Sequence, residues 1–285
     1  MNLGLRYKTH LDHLSLDFGA RAAKSSYLFK DLVESNTIHG RPLRTDEGFS
    51  RPAVIKKGLP RESYSGFSGG FSHLERQAIG DLWLHKAQAE WLSVPAFQQL
   101  IQDLAEVNAP RELILQARRA KRDEVQHTLL TAGISAMATG QSILVEAPSQ
   151  TLRTPLDGIE GLARLAFESW TDGCLHEGLA ALEVERQADD ATEPRIKEVL
   201  SQVAAEEKTH EELAWDVIQW SLQEGGPEIR DLLETALFYL PEAPKDTPEQ
   251  DASLRGLGAL SKETRQALYD THLRQSRERL SKLLA

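Results

Sequence analysis

The sequence predicts an all-α protein whose centre is a bundle of four long helices. Apolar residues recur at helical spacing through four segments, at residues 72–107, 110–139, 158–188 and 194–223. The links within the first pair and within the second pair are short, so each pair is expected to form an antiparallel hairpin. The link between the hairpins, residues 140–157, is long enough to be a crossover.

Proline, asparagine and glycine mark the ends of these helices. Asn108 and Pro110 end the first helix and begin the second, and Gly140 ends the second. Gly226 is expected to close the fourth helix. Pro95 lies inside the first helix, where its missing N–H predicts a kink.

The chain divides into three parts. Residues 1–71 hold glycine, serine, proline and scattered charge, which predicts a mostly irregular arm with one short helix near residues 20–34. Residues 72–226 form the bundle. Residues 227–285 predict a helical extension that packs on the bundle or on a partner subunit. It comprises a short helix over 229–240, a proline- and acid-rich linker over 241–251, and an amphipathic helix over 261–284.

Composition limits the class of function. The 285 residues carry 33 basic and 43 acidic side chains, a net charge of −10, which argues against nucleic acid and against an anionic membrane surface. No apolar run approaches the roughly 20 residues of a membrane helix, and the first residues lack the apolar core of a secretory signal. The single cysteine, Cys174, excludes an intramolecular disulfide. We therefore expect a cytoplasmic protein.

A repeated Glu-x-x-His is the most specific motif. Glu124 and His127 lie in the second helix, and Glu207 and His210 lie in the fourth. Residues three apart share one face of a helix. One such pair is common on a solvated surface. Two pairs on facing helices, each with a further glutamate from a neighbouring helix, are the ligand set of a di-metal carboxylate site.

The other two helices each supply such a glutamate. Glu90 and Glu177 interrupt otherwise apolar faces, where an unpaired carboxylate is costly to bury. Similar spacing in the two hairpins places each level with a Glu-x-x-His. Four carboxylates balance two divalent ions, and oxygen with imidazole donors suits iron or manganese. The predicted ligands are Glu90 and Glu177 as terminal groups, Glu124 and Glu207 as bridges, and the histidines His127 and His210.

Two further carboxylates are expected to orient the histidines. Asp123 and Glu206 each directly precede a ligand glutamate. Each can reach across to the histidine of the opposite helix, Asp123 to His210 and Glu206 to His127, and accept a hydrogen bond from Nδ1–H. Such outer carboxylates fix the orientation of a metal-bound imidazole.

Three more side chains are candidates for the pocket around the metals. Cys174 lies one turn before Glu177, and Trp83 and Trp170 each lie two turns before a terminal glutamate. Each can line the pocket, and the tryptophans can be redox-active. Packing in the core is the alternative for all three.

Residues 72–226 resemble the ferritin-like di-iron carboxylate superfamily, through residues 89–94, 123–127, 173–177 and 206–215. The narrower resemblance is to a group of bacterial ferritin-like-domain proteins whose function is open. It implies a ferritin-like bundle that binds two iron ions, or a manganese and an iron ion, and reacts with O2 or peroxide.

Three functions stay open at this point. The first is an oxidoreductase that activates O2, takes electrons from an external donor and oxidises a small organic substrate; small residues such as Gly173 and Ala180 leave room for one near the metals. The second is peroxide scavenging or ferroxidase activity. The third is a non-catalytic helical module that binds metal or a partner. A homo-oligomer is compatible with each.

Overall fold

The computed structural model describes residues 41, 44–45, 48–49, 55–60, 67, 70–145, 158–238 and 252–285. These residues are mostly helical, in agreement with the all-α prediction. The helices are α1 (His73–Glu106), α2 (Arg111–Thr139), α3 (Gly158–Glu168), a π-helical segment (Ser169–Glu177), α4 (Gly178–Asp190), α5 (Pro194–Ala236) and α6 (Lys262–Leu284). The helix expected near residues 20–34 and the linker expected over 241–251 lie outside the described residues.

Two small antiparallel sheets were not predicted. Strand β1 (Arg44–Thr45) pairs with β2 (Gly48–Phe49), and β3 (Ile55–Pro60) pairs with β4 (Gln141–Val145). Parts of the arm and of the crossover that the sequence predicts to be irregular are therefore strands. Short apolar runs carry too little periodicity to identify a strand, and the partners β3 and β4 are far apart in sequence.

Helices α1 and α2 run antiparallel. Near one end of the pair Ser135 Oγ donates a hydrogen bond to the Gly80 carbonyl at 2.6 Å, and near the other end Lys121 Nζ donates to Gln98 at 2.7 Å. The predicted first hairpin is thus present. Helix α1 continues through Pro95 from His73 to Glu106, so proline does not end it.

The second half of the structure begins with one continuous helical stretch, α3 to α4. The sequence predicts an α-helix throughout, but the middle of the stretch is π-helical. There the Gly178 N–H donates a hydrogen bond to the Gly173 carbonyl, five residues earlier. Periodicity over 158–188 does not reveal one wider turn. Helix α5 runs antiparallel to this stretch, because Gly173 lies beside Ala214 while Glu185 lies 2.6 Å from Lys208.

The predicted end of the fourth helix is present as a break inside α5. At Gly226 the backbone takes φ 53° and ψ −131°, a non-helical conformation that favours glycine, and a second helical part runs from Pro227 to Ala236. The two parts correspond to the predicted fourth helix and to the short helix expected over 229–240. The last turns of α5 pack beside α3, where Gly225 approaches Ile229 and Leu162.

The last helix, α6, begins after Ser261, in agreement with the helix predicted over 261–284. The Ser261 side chain accepts a hydrogen bond from the Thr264 N–H. The helix packs directly on the π-helical segment and α4. The His272 imidazole lies 2.8 Å from the Cys174 carbonyl, and Arg265 Nε lies 3.0 Å from Glu183.

Among the described residues, none of the helices combines the length and apolar character that crossing a bilayer requires.

Candidate metal centre

The structure brings the six predicted ligands to one place between α1, α2, the π-helical segment and α5. They form two overlapping groups, within each of which one donor atom per residue lies within 4.8 Å of the others. The first group is Glu90, Glu124, His127 and Glu207, and the second is Glu124, Glu177 and His210. All are buried except Glu90, which is 14% exposed.

Glu124 and Glu207 each face both histidines. Glu124 Oε2 lies 3.8 Å from His127 Nδ1, and its Oε1 lies 3.2 Å from His210 Nδ1. Glu207 Oε1 lies 3.2 Å from His127 Nδ1, and its Oε2 lies 3.3 Å from His210 Nδ1. Each carboxylate thus offers one oxygen to each side, which is the placement expected of a bridging ligand.

The two remaining glutamates stand at opposite ends of this row. Glu90 Oε2 lies 3.5 Å from His127 Nδ1, and Glu177 belongs to the group of His210. Glu90 comes from the middle of α1, whereas Glu177 is the last residue of the π-helical segment. Such wide turns often occur at functional sites. The π-helical turn sets the direction in which Glu177 leaves its helix.

Many polar atoms of this cluster have no hydrogen-bond partner among the described residues. They are both carboxylate oxygens of Glu124 and of Glu177, Oε2 of Glu207, Nδ1 of His127 and both ring nitrogens of His210. Folded proteins pair most of their buried polar groups. Oxygen and nitrogen lone pairs that converge without donors are what a metal cation needs.

The outer carboxylates lie beside the histidines that the sequence assigns to them. Glu206 Oε2 lies 2.8 Å from His127 Nε2, and Asp123 Oδ2 lies 3.5 Å from His210 Nε2. The ring nitrogen involved is Nε2, not Nδ1 as predicted. Nδ1 is the nitrogen nearer the backbone, and here it faces the glutamates, so Nε2 points across to the neighbouring helix. This arrangement leaves Nδ1 of each histidine available to bind a metal ion.

Burial and mutual repulsion shift the pKa values of the cluster. Burial raises the pKa of Glu177 to about 8, although Arg41 opposes the rise. Burial also raises the pKa of Glu90 to about 7, against the attraction of the neighbouring His127 imidazole. For Glu207 burial acts in the same direction, but His210 and His127 outweigh it and lower the pKa to about 2. The carboxylates raise the pKa values of both histidines despite burial.

These shifts predict how the stability of the metal-free protein depends on pH. At Glu90 and Glu177 the folded-state pKa lies above the unfolded value, so the folded protein retains protons that the unfolded chain releases. The free energy of unfolding should fall as pH rises from about 5 to about 8. The raised histidine pKa values act in the same direction above the unfolded histidine value. The lowered pKa of Glu207 contributes constantly over this range.

Thermal unfolding of chelator-treated protein at about pH 5.5 and about pH 8 tests this expectation. The melting temperature should be lower at the higher pH, and Glu177→Gln should reduce the difference. Metal ligands must be deprotonated, so the rise in melting temperature on adding metal should be larger at the higher pH. A metal-free melting temperature that increases with pH would contradict the assigned shifts.

The three pocket candidates lie in the core. Trp83 Nε1 donates to the Leu257 carbonyl at 2.8 Å, and Trp170 Nε1 donates to the Ala236 carbonyl at 3.3 Å. Cys174 is fully buried, and burial raises the pKa of its thiol. None of the three belongs to either donor group. Their contacts are those of packed core residues.

Sequence reasoning missed one charged residue of this site, Arg41. Its guanidinium is 5% exposed; Nη1 lies 3.9 Å from Glu177 Oε2, and the group stacks 5.5 Å from the centre of the Phe97 ring. Phe97 in turn meets the ring of His210 edge-on at 5.1 Å. The Arg41 N–H donates to Ser93 Oγ at 3.1 Å, which anchors the residue to α1. No periodicity in residues 1–71 signals such a contact.

Comparisons with models of protein families, with curated proteins and with solved structures found no match to this chain. What the site binds must therefore be inferred from its own residues.

Proposed function

We propose that this protein is a di-metal carboxylate oxidoreductase built on a ferritin-like four-helix bundle. It binds two iron ions, or a manganese and an iron ion, and activates O2 to oxidise a small organic substrate. The observation that supports this most strongly is the pair of donor groups joined through Glu124 and Glu207, each of which offers one oxygen to each histidine.

The chemistry of the donors fits a pair of divalent ions. Four carboxylates carry the charge that two such ions neutralise, so the ions remove the cost of burying the glutamates. Oxygen and imidazole donors favour iron and manganese, and no thiolate competes, because the only cysteine is Cys174 outside both groups. Glu206 and Asp123 would hold the imidazole rings in the orientation that metal binding needs.

The topology supports the ferritin-like arrangement. The α1–α2 hairpin and the second antiparallel pair, formed by the α3–α4 stretch with α5, each supply a terminal glutamate and a Glu-x-x-His. Residues 140–157 join the two pairs, as expected of the single long crossover in ferritin-like bundles. The predicted ligand set therefore comes from the four helical elements that this fold would use.

The chain's own groups suit an oxidation that must be kept away from bulk water. When bound, redox-active ions would supply electrons to O2, and an external donor would replace them. Phe97 is fully buried against His210 and covers one side of the cluster. Glu90 is partly exposed whereas Glu177 is not, so solvent reaches the site from the Glu90 side. Burial elsewhere protects reactive groups from side reactions.

Metal content and oxidant preference test this function. The full chain expressed with iron should contain about two metal ions, one for each donor group. Its Fe(II) form should react with O2 in rapid mixing at least as fast as with hydrogen peroxide. Much faster oxidation by peroxide would replace the proposal with peroxide scavenging. A folded chain that binds no metal would leave only a non-catalytic helical module.

A further inference from the structure

Arg41 is the strongest feature that the metal ligands do not explain. It carries a positive charge in a place that is 95% shielded from solvent, since its side chain is only 5% exposed. Its Nη1 is 3.9 Å from Glu177 Oε2, too far for a hydrogen bond, so the pairing is an ionic contact only. The backbone N–H of Arg41 bonds to Ser93, and its guanidinium stacks on Phe97, which together fix the residue at the second donor group.

The two donor groups differ in the number of side chains that converge in them. Four side chains converge within 4.8 Å in the first group, whereas three converge in the second, Glu124, Glu177 and His210. Glu207 reaches His210 at 3.3 Å but does not join that tighter set. Counting the bridging Glu207, an ion in the second group would have four protein donors, so it could also take a ligand from outside the protein.

The two groups also differ in charge, because the second has an additional positive charge beside it. Four glutamates and two divalent ions sum to zero, and Arg41 adds one buried positive charge on the Glu177 side. Among the described residues Glu90 has an ion-pair partner only in His127, with no matching arginine. The outer carboxylates Asp123 and Glu206 lie against the rings of His210 and His127, and neither forms an ion pair with Arg41 among the described residues. A buried cation whose partner is taken up by a metal needs another anion.

From this placement we infer that Arg41 is a substrate-binding residue: its guanidinium binds the carboxylate of a small anionic substrate at the open position of the second donor group. This inference rests on the proposed di-metal site and names the chemical class of its substrate. Arginine suits the role because its planar fork matches a carboxylate with two parallel hydrogen bonds. Gly173 lies directly beside this guanidinium, since a Cβ there would lie 3.5 Å from Arg41 Nη1.

Acetate binding to the Co(II)-loaded full chain tests the inference without any turnover. Metal per chain is measured first, so that failure of the di-metal site is seen separately from failure of the anion site. Acetate is then titrated against the visible absorption of Co(II) in the parent chain, in Arg41→Gln and in Arg41→Lys. We expect Arg41→Gln to weaken acetate binding at least about tenfold, as charge-assisted hydrogen bonds to buried groups imply. Arg41→Lys should retain part of the affinity.

Two controls make the outcome specific. Arg279→Gln removes an arginine that also stacks on an aromatic ring, Trp215 at 4.4 Å, but pairs with Glu212 away from the donor groups, so acetate binding should be unchanged. Imidazole, a neutral metal ligand, should bind the parent chain and Arg41→Gln equally well. Unchanged acetate affinity in an Arg41→Gln chain that holds two metal ions would overturn the inference. If that variant does not hold metal, a crystal structure of the Co(II)-loaded parent with acetate decides: acetate away from Arg41 overturns the inference, and acetate on Arg41 supports it.

Discussion

Replacing Glu124 with alanine should remove metal from both positions at once. Glu124 belongs to both donor groups, and its two oxygens face different histidines. We expect the affinity for metal to fall by at least about 100-fold, because even changes to groups that only orient ligands cost about 10–100-fold. The side chain contributes carboxylate oxygens rather than apolar packing, so most of the helical circular dichroism should remain.

His210→Ala should behave in the same way for the second group. The direct measurement is metal per chain by elemental analysis, together with far-ultraviolet circular dichroism. Glu185→Ala is a suitable control: Glu185 is a glutamate on the neighbouring helix α4, but it is 46% exposed and pairs with Lys208. That control should keep about the parent's metal content. Full metal content in both Glu124→Ala and His210→Ala would show that the ligands are assigned wrongly.

Gly173→Ala should destabilise the fold and disturb the second donor group. A Cβ at Gly173 would lie 2.2 Å from the Ala214 Cβ, and Ala214 is 2% exposed on α5, so neither side has room to yield. Alanine favours a helix over glycine by roughly 1 kcal/mol, but overpacking a core costs about 1–3 kcal/mol and should prevail. The melting temperature should fall by several degrees. Because Glu177 follows one π-helical turn later, metal content should fall as well.

A second substitution checks that the cause is this contact. Adding Ala214→Gly to Gly173→Ala removes the opposing Cβ and leaves the Ala214 Cα, which is 3.5 Å away, as the nearest atom of that residue. The double variant should recover metal content and part of the lost melting temperature. Ala214→Gly alone supplies the remaining corner of the double-mutant cycle. Two independent, additive losses of stability would contradict the proposed contact between the π-helical segment and α5.

The features predictable from the sequence were those that repeat at helical spacing. The spacing of Glu124 with His127 and of Glu207 with His210, together with helical apolar patterns, predicts which faces meet, and the structure brings these side chains together. The fully buried glutamate Glu177 was detectable because a charge on an apolar face is costly. Helix α6 was detectable from its own amphipathic pattern.

The missed part depends on contacts between distant residues. Arg41 reaches the site from a segment without periodicity, and β3 pairs with a strand far along the chain. The wider π-helical turn before Glu177 changes hydrogen bonding by one residue without changing the apolar pattern. These features leave no periodic signal in the sequence.

An iron-edge anomalous difference map from crystals of the iron-loaded full chain tests the central claim most directly. We predict two peaks, one among Glu90, Glu124, His127 and Glu207, and the other among Glu124, Glu177 and His210. Both peaks should lie next to Glu124, between the two histidine Nδ1 atoms. A single peak, or iron bound only away from these residues in an otherwise unchanged fold, would contradict the di-metal assignment.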